Sequence, residues 1–232
     1  MSLSLRKLSV VIPVYNERDT IEEVIRRVLA VDIGLEREII VLDGDSTDGT
    51  REFLENLREE QVRVIFEKDR GGKGAAVRRG FGEATGDIVI IQDADLELDP
   101  SEYPDLLAPI LRGDAKAVYG SRFTHGRGAT SFGSYIGNRT ITWATNLLFF
   151  ARLTDIATGY KVIRKDVLDT LRLSCNGFDF DAEITNRLLK AGVRIHEVPV
   201  AYAPRDHQAG KKLHWSEGFR VLLAILRNRF TD

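Results

Sequence analysis

The sequence is short of several things, and each shortage excludes something. Cysteine occurs once in 232 residues, at Cys175, so no internal disulfide can form and a reducing compartment is expected. No apolar run reaches the length of a membrane-spanning helix, about 20 residues. The apolar opening from Leu8 to Val14 is too short for the core of a signal peptide and is broken by Pro13, so none is expected. A large excess of one charge is missing too. With 33 basic and 35 acidic residues the net charge is −2, which argues against nucleic-acid binding. The histidines His125, His196, His207 and His214 show no metal-ligand spacing, and His196 is read as structural. Both the Walker pattern and the Gly-x-Gly-x-x-Gly fingerprint are absent.

What is present is an ordinary globular mix, 43% hydrophobic and 29% charged, long enough for one large α/β domain. Leu8 to Tyr15 is a near-continuous apolar run, as in a parallel strand covered on both faces. Ile21, Val24, Ile25 and Val28 follow at helical spacing. Arg37 to Leu42 predicts a second strand ending at Asp43, and Asp48 or Thr50 is placed to cap a helix through Leu57. Val62 to Phe66 predicts a third strand, Gly71-Gly72-Lys73-Gly74 opens a helix through Phe81, and the strand at Val89 follows. This βα alternation predicts a doubly wound, mostly parallel sheet. The second half is less regular: a strand at Ala117 to Gly120, helices at Ile136–Leu153 and Ala182–Ala191, a strand at Arg194–Val200, and an amphipathic helix at Trp215–Phe230. With no repeat or linker, residues 1–232 are read as one domain.

The most informative stretch is Val89-Ile90-Ile91-Gln92-Asp93-Ala94-Asp95. A β-branched run ends in two carboxylates two residues apart, at the strand end where α/β sheets collect ligands. Carboxylates converging there repel unless a cation lies between them. Hard oxygen ligands suit Mg²⁺ or Mn²⁺ shared with substrate phosphates, so Asp93 and Asp95 predict a metal–diphosphate site. Asn16-Glu17 and Asp43 also fall just after strands, on the same expected edge. Glycines before Lys73 would allow close backbone approach to a phosphate, with Lys73 adding positive charge. The sequon Asn138-Arg139-Thr140 is read as accidental, since no signal peptide is expected.

Taken in order, Pro13-Val14-Tyr15-Asn16-Glu17, Asp43 with Ser46-Thr47-Asp48-Gly49-Thr50, Gly72-Lys73-Gly74-Ala75-Ala76 and Asp93-Ala94-Asp95 resemble the inverting GT-A glycosyltransferases of family 2. Gly120-Ser121-Arg122-Phe123, Leu153-Thr154-Asp155 with Thr158-Gly159-Tyr160-Lys161, and Gly177 to Glu183 resemble the branch that holds the dolichyl-phosphate mannose and glucose synthases. The resemblance implies a GT-A α/β domain with a nucleotide-sugar-binding half over 1–100 and an acceptor half over 101–232. It implies that Pro13, Tyr15, Glu17, Asp43, Lys73 and Ala94 hold the donor, and that Asp93 and Asp95, with Glu97, hold the metal. It also implies that Arg122 and Arg139 grip the acceptor phosphate, with Arg205 and Lys212 near the diphosphate. Relatives often read Asp-Asp-Gly-Ser where this chain has Asp43-Gly44-Asp45-Ser46, and Arg where Lys161 stands.

The implied reaction moves mannose or glucose from GDP-mannose or UDP-glucose to a polyprenyl phosphate. A hydroxyl acceptor is the alternative, and would need a base, with Asp155 the nearest candidate. A sugar-nucleotidyltransferase would want a Gly-rich loop after the first strand, where Tyr15-Asn16-Glu17 stand. A non-catalytic nucleotide-sugar-binding protein would not need the Asp93/Asp95 pair. Trp215, Phe219, Leu222, Leu223, Leu226 and Phe230 lie largely on one side of the last helix, near Arg220, Arg227 and Arg229. Peripheral attachment at the cytoplasmic face of a membrane is therefore expected, with packing onto the core, self-association or a membrane-anchored partner as alternatives for that stripe.

Overall fold

A computed structural model of the chain describes residues 5–204 and 215–230. β1 (Lys7–Val14), α1 (Ile21–Ala30), β2 (Glu36–Asp43), α2 (Thr50–Asn56), β3 (Val62–Phe66), α3 (Lys73–Glu83) and β4 (Ile88–Ile91) alternate as the periodicity predicts. A 3₁₀ turn at Pro100–Glu102 then leads into α4 (Tyr103–Leu111). β5 (Ala117–Ser121), α5 (Phe132–Phe149), β6 (Lys161–Arg164), α6 (Lys165–Leu168), α7 (Phe180–Lys190), β7 (Ile195–Pro199) and α8 (Trp215–Phe230) complete the order.

The seven strands form one sheet in the order β3-β2-β1-β4-β6-β5-β7. β6 runs antiparallel to β4 and β5, and every other pairing is parallel. The chain winds outward from β1 to β3, then crosses to the far side of β1 to lay down β4. That reversal leaves a crevice at the carboxyl ends of β1 and β4, the position where open α/β sheets bind ligands. The central strands are apolar throughout because helices cover both faces: all four residues of β4 are buried, as are Val10, Val11 and Ile12 of β1. One core gathers the α1 stripe of Ile21, Val24, Ile25 and Val28 with Leu106, Leu107 and Ile110 of α4. The other gathers Val77 and Phe81 of α3 with Phe180, Ile184 and Leu188 of α7 and Val221 and Ile225 of α8.

Three elements escape the sequence reading. α4 carries Pro104 in its first turn, where the missing N–H has no helical partner to lose, and Pro109 near its end. β6 is four residues long and antiparallel, so it breaks the βα rhythm, and α6 is shorter than two turns. The helix expected from Ile136 starts four residues earlier, at Phe132, because Ser131 caps it by accepting from Ser134 N–H at 3.4 Å.

α3 crosses the sheet closely enough to constrain its glycines. A Cβ on Gly80 would collide with Val11 and reach Leu42 Cδ1 at 2.9 Å, whereas one on Gly82 meets nothing within 4 Å. Gly80→Ala is therefore expected to destabilise by about 1–3 kcal/mol through overpacking. Gly82→Ala should stabilise by about 0.5–1 kcal/mol through helix propensity. Urea denaturation midpoints check both, and equal shifts of one sign would overturn this account of the α3–sheet contact.

Candidate active site

The crevice between the β1 and β4 ends opens into a cleft of about 1200 Å³. The loops that shape it are knitted by short polar side chains. Asn16, in the left-handed region at φ 53°, donates its N–H to Ser46 Oγ at 2.9 Å and accepts Thr47 N–H at 2.8 Å. Asp48, at the position before Gly49, the cap residue of α2, accepts Thr50 N–H at 3.0 Å and also Arg18 N–H at 3.1 Å. Thr20 donates to the Ala94 carbonyl at 2.7 Å, tying the α1 entry to the Asp93-Ala94-Asp95 loop. Beneath that loop, buried Gln92 donates to the Asp93 carbonyl at 3.0 Å and accepts the hydroxyls of Tyr103 at 2.7 Å and Tyr160 at 3.0 Å.

Pro13, Tyr15, Glu17, Lys73, Asp93, Ala94, Asp95, Glu97 and Arg122 all line this cleft, so residues spread over the first 122 positions converge. Two of the expected residues do not line it. Asp43 is fully buried beneath Gly44, where it faces Ser46 N–H at 3.3 Å and Arg51 Nε at 3.4 Å. Arg51 reaches Asp45 as well, at 2.7 Å, so the two aspartates share one guanidinium. Arg139 lies on the exposed side of α5, off the face formed by Ser134, Gly137 and Ile141, and donates to the Thr154 carbonyl at 3.0 Å. Arg205 and Lys212 lie outside the described residues.

Asp93 has a cation against it and Glu97 a hydroxyl, while Asp95 accepts Glu97 N–H at 3.2 Å. Lys73 Nζ is 2.6 Å from Asp93 Oδ1. Burial opposes the Asp93 charge, but Lys73, with Lys161 and Arg122 behind it, holds the carboxyl below its ordinary range. On the other side, a Cβ on Gly159 would collide with the Asp93 carboxylate, so only glycine fits there. Glu97 accepts the Tyr202 hydroxyl at 2.8 Å. The expected metal set was Asp93, Asp95 and Glu97. Among the described residues no three His, Cys, Asp or Glu side chains converge as a metal cluster, with Lys73 against Asp93 and Tyr202 against Glu97.

Two more pairs complete the polar floor. Arg122 meets the buried Asp155 in a two-pronged contact, Nε to Oδ2 at 2.7 Å and a terminal nitrogen to Oδ1 at 2.8 Å. Burial opposes the Arg122 charge, but Asp155 more than offsets it and raises the guanidinium above its ordinary value. Buried Lys161 meets Asp181, a cleft residue, at 2.5 Å. Burial lowers the Lys161 ammonium below the lysine range. Sequence reasoning assigned no role to Gly159 or Asp181, although both stand in the motifs that carry the family resemblance. Arg70, stacked 4.1 Å from the Tyr15 ring centroid, and Tyr202 left no sequence signal.

The glycine run before Lys73 serves packing. A Cβ on Gly72 would sit 2.5 Å from the Asn176 carbonyl, and one on Gly74 2.6 Å from that of Cys175. The first turn of α3 is also occupied, since Ala75 N–H donates to the Asn176 carbonyl at 3.2 Å. These glycines seat the helix on the loop before α7, and Lys73 alone of the four carries charge into the cleft.

A sheet that reverses between β1 and β4, with aspartates at the reversal, is the architecture of a nucleotide-binding α/β domain. The model of the family described as "Glycosyl transferase family 2" matches residues 9–172, and the chain belongs to that family. The chain is 35% identical, over 95% of its length, to a dolichol-phosphate mannosyltransferase of Pyrococcus furiosus. It is 31% identical, again over 95% of its length, to the low-salt glycan biosynthesis hexosyltransferase Agl6 of Haloferax volcanii. It spans 63% and 53% of the lengths of those two proteins. Glucosyl-3-phosphoglycerate synthase of Mycobacterium tuberculosis superposes with a TM-score of 0.72 at 26% identity, covering 97% of this chain and 80% of that one. The same enzyme in complex with Mn²⁺, UDP and glucosyl-3-phosphoglycerate gives 0.73 at 24%. The family and fold expected from the motifs are borne out.

The Arg122–Asp155 pair sets a stability expectation. Removing one partner leaves a buried charge uncompensated, whereas removing both does not. Asp155→Asn should destabilise by about 3–5 kcal/mol, and Arg122→Met with Asp155→Leu should recover most of that loss. Thermal unfolding of the single and double variants checks it, and a double variant no better than Asp155→Asn would sink the ion-pair reading.

Proposed function

We propose that this chain transfers a hexose, with inversion, from a nucleotide-diphosphate sugar to a polyprenyl phosphate. The observation that carries the acceptor half of this reading is the way α5 is turned. Its buried positions are Thr142 and Thr145, while Trp143 and Leu147 are 65% and 58% exposed, with Phe132 and Ile136 continuing the outward stripe and Phe150, just past its end, 87% exposed. A soluble helix normally hides its apolar side. A third side of α5, with Ser134, Gly137 and Ile141, lines the cleft. One helix therefore joins the polar site to an apolar surface, which suits an acceptor with a charged head and a hydrocarbon tail. The outer side of α8 adds exposed Leu223, Leu226 and Phe230, while its Val221, Ala224 and Ile225 pack inward. One side of that helix thus packs onto the core and the other is left exposed; the side chains of Trp215 and Phe219 lie outside the described residues.

In the donor half, Tyr15 and Glu17 line the end where the base and ribose would lie, with Arg70 stacked behind Tyr15. Asp93 and Asp95 offer the hard oxygen donors that fit Mg²⁺ or Mn²⁺, with Glu97 beside them. Bound there, the cation would neutralise charge developing on the leaving diphosphate. The M. tuberculosis enzyme named above is crystallised with Mn²⁺ or Mg²⁺ and UDP. Asp155 speaks against the hydroxyl-acceptor alternative. That acceptor needs a base, and both Asp155 oxygens are engaged by Arg122 in a buried pair. A phosphate acceptor is already anionic, so Arg122 need only position it. The mannosyltransferase similarity supports the same acceptor class. The sequence that follows β1, Tyr15-Asn16-Glu17, disfavours a nucleotidyltransferase.

The direct test incubates the protein with a panel of nucleotide sugars, Mg²⁺ or Mn²⁺ and a short polyprenyl phosphate, and identifies products by mass. A polyprenyl-phosphate hexose is expected. Asp93→Ala should abolish turnover without unfolding. Arg122→Lys, which keeps the charge and loses the fork, should lower acceptor kcat/KM by about 10–100-fold while sparing donor binding. A glycoside of a hydroxyl acceptor as the sole product would overturn the reading.

We further propose that the protein works as a peripheral membrane enzyme at the cytoplasmic face. Among the described residues no helix is long and apolar enough to cross a membrane. The α5 and α8 stripes lie beside Arg227 and Arg229, a pattern that suits an anionic headgroup boundary. In flotation with anionic liposomes the protein should rise with the vesicles, and salt should weaken the association. Trp143→Glu with Leu147→Glu should abolish it at unchanged helicity. Retention in the soluble fraction at low salt, together with dimers lost in the double variant, would assign the stripe to a second copy instead.

A further inference from the structure

Lys73 stands where a cation and a diphosphate would compete for it. Its ammonium, 2.6 Å from Asp93 Oδ1, already neutralises one of the two proposed cation ligands. Asp93 is crowded on its far side by the Gly159 backbone, and its main-chain carbonyl accepts from Gln92 at 3.0 Å. The helix start that carries Lys73 is likewise crowded. Gly72, at φ 92°, lies against the Asn176 carbonyl, which also takes Ala75 N–H. The freely adjustable part is the four-carbon stem of Lys73 itself, which lines the cleft. A divalent cation approaching Asp93 meets a positive charge at contact distance, with Lys161 and Arg122 adding like charge nearby. The cation can settle only when the ammonium leaves, and the ammonium leaves readily only toward another anion.

We propose that Lys73 is a positioning residue that couples the two ligands of the donor site, holding Asp93 in the free protein and moving to the donor diphosphate as the divalent cation takes the carboxylate. The inference rests on the cation–diphosphate reading of the cleft. Two properties follow. Cation without diphosphate binds poorly because Lys73 competes with it. The diphosphate relieves that competition, and by linkage the cation raises diphosphate affinity by the same factor. Lysine suits the task better than arginine, being a compact charge on a flexible stem rather than a planar fork that would lock onto a carboxylate.

The test is calorimetric titration of the full chain with Mn²⁺, alone and with saturating UDP or GDP, for the wild type, Lys73→Met and Asp93→Asn. A diphosphate ligates Mn²⁺ itself in every protein, so the difference between wild type and Lys73→Met isolates the side chain. Wild type should bind Mn²⁺ weakly alone. Lys73→Met should bind Mn²⁺ alone about tenfold more tightly, bind diphosphate alone more weakly, and show coupling about tenfold smaller than wild type. Lys73→Gln repeats the measurement if the methionine variant fails to fold. Equal Mn²⁺ affinity and equal coupling in wild type and the Lys73 variants, with binding still lost in Asp93→Asn, overturns the coupling role and leaves the cation site standing. Absence of Mn²⁺ binding in all proteins, with and without diphosphate, overturns the cation site itself.

Discussion

The cleft is built outward from one carboxylate in a confined position. Asp93 lies two residues past the end of β4, beside the topological reversal, between the Lys73 ammonium and the Gly159 backbone. A partly buried charge is costly unless it is compensated. The surroundings supply compensation in layers: Lys73 directly, then Lys161 and Arg122, each tied in turn to its own carboxylate, Asp181 and Asp155. Positive and negative groups thus alternate across the floor. Adding ligands to such a floor means exchanging partners, which is why the donor site is best understood through the pairs that its ligands must break.

The helical layer on the acceptor side obeys a related constraint. α5 turns threonines and an asparagine inward because the loop after it needs polar support. Thr142 accepts Ile156 N–H at 3.4 Å, and the Asn146 amide both donates to and accepts from the Leu153 backbone at 2.8 and 2.9 Å. Glu197 on β7 completes the cradle by accepting Thr154 and Asp155 N–H groups at 2.9 and 3.0 Å. The loop so held carries Asp155, which orients Arg122. Ile141, Ala144, Leu148 and Phe149 pack toward the α7–α8 core beside these polar groups, and Phe132, Ile136, Trp143 and Leu147 are left on the outer side. The exposed stripe and the anchored arginine are two results of one helix orientation.

Much of this was legible in the chain. β3 falls on the expected residues, the α1 stripe is buried as its spacing predicts, and the strand-end aspartates lie in the cleft. Local periodicity and strand-end chemistry survive folding because they describe short segments. The losses also have physical reasons. α4 was hidden by Pro104 and Pro109, and β6 by its brevity and reversed direction. The packing of Gly72 and Gly74 against the Asn176 and Cys175 carbonyls left no sequence signal, because sequence cannot tell close approach to a ligand from close approach to another loop.

By itself, then, the sequence determined the alternation, the family and the carboxylates at the sheet edge, since these depend on residue type and neighbours along the chain. Tertiary structure decided which charges meet. Lys73 and Asp93, Arg122 and Asp155, and Lys161 and Asp181 are each 20 to 33 residues apart. Asp43 proved buried against Arg51, and Arg139 fell on the open side of α5. No local pattern specifies such pairings. They depend on helix phase and strand order, and only the folded chain sets those, by burying one side of each element and leaving the remaining side chains to find partners.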